Sequence, residues 1–197
     1  MKKTTMIIIA VIAVLVLWCI SAYNGMVRAQ EDATNEWANV QSTYQRRADL
    51  VPNLVETVKG YAKHEENTLK EVIEARAKAT SINIDPSNCT PEQLAEYQKA
   101  QNELGSAFSS ALGRLIAVSE SYPDLKANDL FKDLQAQLEG TENRINSARD
   151  KFNDKVTVYN KDVRSFPNNI FAGIFGFRQM EKFQADAESQ KNPKVQF

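Results

Sequence analysis

The stretch FKDLQAQLEGTENRINSARDKFNDKVTVYNKDVRSF, residues 131–166, decides the fold class. Phe131, Leu138, Ile145, Phe152, Tyr159 and Phe166 recur every seven residues without an error, and Leu134, Ala148, Val156 and Val163 fill in beside them. Apolar residues three and four apart share a face at about 3.6 residues per turn, so this is one stripe of a long helix. The alternation that marks a strand is absent. A single stripe on a helix this long cannot bury itself, so partner helices are required.

The rest of the chain supplies them. Upstream, Trp37, Tyr44, Val51, Val58 and Val72 fall on one row, broken by Glu65, with Val40, Leu54 and Tyr61 on its partner row. Read as one continuous helix over residues 24–81, this segment reaches on the order of 85 Å at about 1.5 Å per residue. Pro52 removes a backbone donor inside it and predicts a kink over residues 48–52. Residues 81–89 (SINIDPSNC) are a break, with turn chemistry at Asp85-Pro86-Ser87-Asn88. Thr90-Pro91-Glu92-Gln93 then opens a second helix with a cap, a proline at the first helical position and a capping-box glutamine. Its rows are Leu94, Gln101, Phe108, Leu115 and Tyr122, and Tyr97, Leu104, Ala111 and Val118, with Pro123 as the stop. Asn128 caps the third helix, and Phe166-Pro167 ends it. Residues 178–188 read as a short fourth helix.

The fold expected is all-α, an antiparallel bundle of three long helices plus a short fourth, with coiled-coil-like packing. It stands behind an N-terminal transmembrane helix. The domain boundaries are an anchor at 1–23, a bundle at 24–188 and an extended tail at 189–197.

The anchor rests on residues 4–27, which carry no charged side chain, and within them residues 6–22 (MIIIAVIAVLVLWCISA) are almost wholly apolar. About 20 residues cross the roughly 30 Å hydrocarbon core of a bilayer. Residues 4–23 are therefore read as the membrane contact. A cleaved signal is the first alternative, but its apolar region would be long and Ile20-Ser21-Ala22 is a mediocre cleavage site. Lipid attachment at Cys19 is the second, and bulky Trp18 just before it argues against that processing. Lys2 and Lys3 precede the segment, whereas Arg28 follows alone with Glu31 and Asp32 behind it. The positive-inside rule then places the N-terminus in the cytoplasm and the body outside it.

Composition excludes several function classes. Beyond the two N-terminal lysines, 22 basic residues face 25 acidic ones, a net of −3, which gives no footprint for nucleic acid. Cys19 and Cys89 cannot form a disulfide framework. His64 is the sole histidine, and His64-Glu65-Glu66-Asn67-Thr68 lacks the second histidine of a zinc-protease motif. The pairs Glu65/Glu66, Glu71/Glu74 and Glu139/Glu142 lack the Glu-x-x-His companions of a di-metal bundle site and read as solvated helix faces. No catalytic residue, cofactor or metal site is expected.

Two kinds of segment are candidate partner surfaces. The first is a pair of separate polar groups, Arg46, Arg47 and Asp49 just before Pro52, and Glu142 and Arg144 midway along the third helix. On bundle helices such groups either fix register, form surface pairs or dock a partner. The second is residues 166–177 (FPNNIFAGIFGF), carrying Phe171, Phe175 and Phe177, with no charge and with glycines that disfavour a helix. It is an apolar plug for the bundle end, a partner surface or a membrane contact. With three long helices leading away, returning and leading away again, it falls at the membrane-distal end, which favours the plug.

Several segments in order carry a family resemblance. They are Tyr23-Asn24-Gly25-Met26-Val27, Trp37, residues 46–65 (RRADLVPNLVETVKGYAKHE) and Glu74-Ala75-Arg76. Residues 120–128 (ESYPDLKAN) and 138–145 (LEGTENRI) follow, and the ending adds Tyr159-Asn160, Phe166-Pro167, Phe175-Gly176-Phe177 and residues 193–197. Together they resemble the LemA family of bacterial membrane-anchored helical proteins. The resemblance implies a helical bundle behind one transmembrane segment, no assigned reaction and no catalytic residues. It also implies neighbours such as membrane-bound zinc metallopeptidases or proteins of envelope maintenance, with a relative in magnetosome membranes. It admits either orientation of the body. The function expected is a non-enzymatic scaffold or adaptor of the bacterial cytoplasmic membrane; the alternative is a structural protein assembling into a ring- or cage-like homo-oligomer.

Overall fold

The computed structural model describes residues 3–58, 66–119 and 129–184. Helix α1 is Lys3–Val58, α2 Glu66–Ser81, α3 Pro91–Ser119, α4 Asp129–Arg164 and α5 Asn168–Phe175. No strand occurs among the described residues, and the fold is all-α with one long apolar N-terminal helix. The anchor and the first body helix are one element, since α1 runs unbroken from residue 3 through Pro52. The Pro123 stop, the Asn128 cap, His64 and the tail 189–197 lie outside the described residues.

The first body helix is not continuous to residue 81. Arg76 on α2 donates from Nε to the Ala48 carbonyl at 2.8 Å, although 28 residues of unbroken helix would part them by about 42 Å. Helix α2 therefore runs back along α1, and the body part of α1, residues 24–58, reaches only about 50 Å. The same bond resolves the proline. The Ala48 carbonyl is the acceptor that the missing Pro52 amide would have served, and Arg76 supplies the donor instead.

The remaining directions follow from paired residues. Gln101 on α3 bonds to Ala79 on α2, and Lys78 to Glu103, so α2 and α3 are antiparallel. Asp32 meets Lys155, Trp37 meets Phe152 and Arg47 meets Glu142, so α4 descends along α1. The body is thus up, down, up, down, with α2 as the short fourth member. Residues 178–184, read from sequence as that helix, have no helical structure, and residues 185–188 lie outside the described part.

Every row residue read from sequence on α3 whose side chain is described is buried, as are Trp37, Tyr44, Val51, Val40 and Leu54 on α1. Two differences on α4 are instructive. Thr141 is fully buried between Leu134 and Ala148, because its hydroxyl donates to the Gln137 carbonyl at 2.6 Å and so enters the core satisfied. Phe166 closes the seven-residue row in sequence but is 81% exposed, since α4 ends at Arg164 and the chain turns away.

The core has two compartments. A membrane-proximal one holds Met26, Ala33, Trp37, Tyr97, Phe152, Tyr159, Met180 and Phe183. A distal one holds Leu54, Val72, Leu104, Phe108, Phe131 and Leu138. In the proximal half α2 is missing, and irregular chain fills the gap with Ile82, Ile84, Cys89 and Phe177. The α2–α3 connection is tied by Asp85, which accepts from the Ser87 amide and the Asn88 side chain. The capping box forms as read: the Thr90 amide donates to Gln93 Oε1 at 2.9 Å and the Gln93 amide to Thr90 Oγ1 at 3.3 Å.

The extended residues 177–184 are held by side-chain amides. Asn160 donates to the Met180 carbonyl at 2.8 Å and accepts its amide at 2.9 Å. Asn153 does the same for Phe183, both at 3.0 Å. Gln98 on α3 grips Gln184 likewise. Seven residues of helix rise about 10.5 Å, and three residues of extended chain cover about the same distance, so asparagines seven apart match backbone groups three apart.

Candidate functional site

The sequence-selected charges divide between the interior and the surface. Arg47 falls on the Val40–Leu54 row, a core position, and is 2% exposed. Its Nη1 donates to Glu142 Oε1 at 3.0 Å, and its Nη2 to the Gln101 carbonyl at 2.6 Å and Gln101 Oε1 at 3.0 Å. Gln101 passes the link on, donating from Nε2 to the Ala79 carbonyl at 3.1 Å. One guanidinium therefore ties α1 to α3 and α4 directly and to α2 through Gln101, in a polar layer between the two apolar compartments. Gly105 is what lets it lie there, because a Cβ at 105 would sit 2.7 Å from Arg47 Nη1. Tyr44 covers the guanidinium from the proximal side, with its ring centroid 5.2 Å away.

This layer fixes helix order and register. Arg47 is inside the bundle and offers no docking group, which corrects its place among the candidate surface residues. Glu142 is half-buried, with its carboxylate turned to Arg47. Arg46, Asp49 and Arg144 are exposed, and Asp49 accepts a bond from Gln45 at 2.7 Å. The sequence did carry signals for the layer, an arginine on an α1 core row and a glutamine within the apolar row of α3, but neither names its partner.

Titration behaviour is structural. Burial, and after it Tyr44, pushes the Tyr97 hydroxyl well above its usual range. Burial, followed by nearby Glu181, raises the Cys89 thiol. The Asn88 side chain and Ser87 amide hold the Asp85 carboxyl below the usual aspartate value. Among the described residues no group of His, Cys, Asp and Glu is gathered as a metal would need.

The Phe-rich segment is not where the three-helix order placed it. Four body passes bring the end of α4 back to the base, so residues 166–177 lie at the membrane-proximal end. Phe171 meets Trp18 with centroids 5.2 Å apart, and Phe175 and Phe177 meet Tyr23 at 5.0 and 5.5 Å. Residues 168–175 of the segment are also helical, correcting the expectation that its glycines make it a poor helix. Gly173 is tolerated because docking of Phe171 and Ala172 on the bundle outweighs propensity. Gly176 ends the helix: at φ 79° it adopts the left-handed conformation, and the Phe177 amide bonds back to the Ala172 carbonyl at 3.0 Å.

Helices α3 and α4 leave a groove of about 410 Å³ between them, lined by Leu112, Gly113, Ile116, Leu138 and Glu139. A Cβ at Gly113 would meet nothing within 4 Å.

The chain is similar in sequence to known proteins. Magnetosome protein MamQ of Magnetospirillum gryphiswaldense is 30% identical over 174 residues, 82% of this chain and 64% of that protein. Magnetosome protein MamQ 2 of Paramagnetospirillum magneticum is 30% identical over 190 residues, 90% of this chain and 68% of that protein. The chain thus spans about two thirds of the length of these relatives. Protein LemA of Metamycoplasma hominis is 24% identical over 177 residues, 86% of this chain and 75% of that protein. A profile of the LemA family matches residues 36–197, from Glu36 at the start of the Trp37 core row to Phe197. The chain is a membrane-anchored helical protein and belongs to the LemA family.

Proposed function

We propose that this protein is a non-enzymatic scaffold that holds partner proteins at the bacterial cytoplasmic membrane, with its body on the extracytoplasmic side. The observation that carries the reading is a body locked by one buried polar layer and joined to its membrane helix without a linker, since core packing begins at Met26. An adaptor needs such a body, because a partner's position relative to the bilayer is then set by the body alone. The groove between α3 and α4 is the docking place, with exposed Ile116 at its lip. The partner class is an integral membrane protein with an exposed apolar helix, of which a membrane-bound zinc metallopeptidase is one instance.

The test is recovery of partners from gently solubilised membranes by the full-length chain and by Gly113→Gln. The glutamine faces open space and improves helix propensity, so the fold is kept while the groove is filled. Partners recovered by the parent chain and lost with Gly113→Gln support the reading. Equal recovery by both moves the docking place elsewhere, and recovery of nothing specific by the parent removes the scaffold role. Tags accessible from opposite sides at the two chain ends test the orientation.

A further inference from the structure

We propose that α5 is a membrane foot: a short helix lying in the same bilayer leaflet that α1 leaves, with Ile170, Ile174 and Phe166 in contact with lipid acyl chains. Such a lipid contact needs no protein partner and is independent of a scaffold role.

The depth of α5 follows from α1. The uncharged stretch 4–27 is about 36 Å of helix, and a hydrocarbon core of about 30 Å must fit inside it. The body-side boundary of the core therefore falls between residues 23 and 27, whichever way the helix slides. Trp18 then lies at least about 7 Å inside the core, and Tyr23 lies at its edge or within. Because Phe171 packs on Trp18, and Phe175 and Phe177 on Tyr23, α5 shares that depth.

The surface of α5 suits that place. Phe171 and Ala172 turn towards the bundle, while Ile170 and Ile174, one turn apart, are 53% and 70% exposed, beside highly exposed Phe166. No charged side chain occurs from 165 to 177, and exposed Arg164 and Arg178 flank the segment at headgroup level. On a surface bathed by water this cluster would be an aggregation liability. Continuous with the equally exposed apolar side chains of α1, it extends the lipid-facing surface sideways. The body is then fixed to the bilayer at two points, which sets its tilt as well as its distance.

The test uses the full-length chain in phosphatidylcholine vesicles, in a Cys19→Ala/Cys89→Ala background. Ile174→Cys carries an environment-sensitive fluorophore, and Ser110→Cys on α3, also exposed, carries the same probe as control. Lipids brominated near the headgroup end of the acyl chain should remove most of the emission at position 174, deeply brominated lipids less, and neither should affect position 110. Water-like emission at 174 that ignores bromine overturns the proposal. A blue-shifted emission that ignores bromine and fades when the protein is diluted into excess lipid also overturns it, since a second copy then covers the face.

Discussion

Replacing Arg76 with methionine isolates the interaction that lets a proline stand inside α1. Arg76 Nε is 2.8 Å from the Ala48 carbonyl, and Ala48 is almost completely buried, so solvent cannot take over the bond. Methionine keeps most of the aliphatic stem and removes the donor. Leaving a buried carbonyl unsatisfied costs about 1–3 kcal/mol. For a body of this size, about 2 kcal/mol corresponds to a fall of roughly 4–8 °C in Tm. The decisive comparison is with Pro52→Ala. Pro52 is exposed, so alanine leaves no cavity, and it restores the amide that α1 would use on Ala48. In the Pro52→Ala background, Arg76→Met should cost at least about 1 kcal/mol less than in the parent, the coupling expected for groups serving one acceptor. Thermal and urea unfolding of the four proteins in one detergent, followed by helical circular dichroism, reads the cycle. Equal cost of Arg76→Met in both backgrounds would falsify the compensation and leave Arg76 as an ordinary surface contact.

The polar layer predicts a change of sign. Gly105→Ala should destabilise the parent by about 1–3 kcal/mol, because its Cβ intrudes on Arg47 Nη1. In an Arg47→Met background the same change should be neutral or stabilising, as alanine is the better helix former by about 1 kcal/mol; urea midpoints decide. Asn153→Ala should free the chain around Phe183, seen as faster amide exchange at residues 180–184 with helix content unchanged. Asn153→Asp, which keeps only the acceptor, should fall between; unchanged exchange in both would remove the amide clamp. Tyr97 predicts the alkaline limb of stability. Its hydroxyl, raised above the usual tyrosine range by burial, contributes fully below pH about 10 and loses that contribution as pH rises towards its folded value. Tyr97→Phe should therefore move alkaline unfolding to higher pH; an unmoved transition would mean that another group drives it.

The site was only partly readable beforehand. Gln101 announced itself as a polar residue in an apolar row, and Arg47 occupies a core position of α1. Arg76 and Gly105 gave no such sign, because one serves a vacancy made by a proline 24 residues away and the other matters only for a guanidinium on another helix. Nothing in the helical pattern marks Asn153 and Asn160 as a clamp, because the backbone groups they hold, at Phe183 and Met180, reach them only through the fold.

What the sequence determined by itself is the set of parts. The charge-free stretch at the N-terminus, the seven-residue rows, the turn at Asp85-Pro86 and the capping box at Thr90 are all local chemistry, so each was fixed within a few turns of chain. What only the tertiary structure decided is direction. A stripe of apolar residues reads the same on a helix going up or coming down, and it names no partner. With α2 folded back on α1, the body makes four passes where a continuous helix would have made three. That single reversal inverts the parity of everything after it and carries the Phe-rich segment from the far end of the bundle to the base, against Trp18 and Tyr23. Periodicity records which face is buried; the count of reversals, a global property, settles which end meets the membrane.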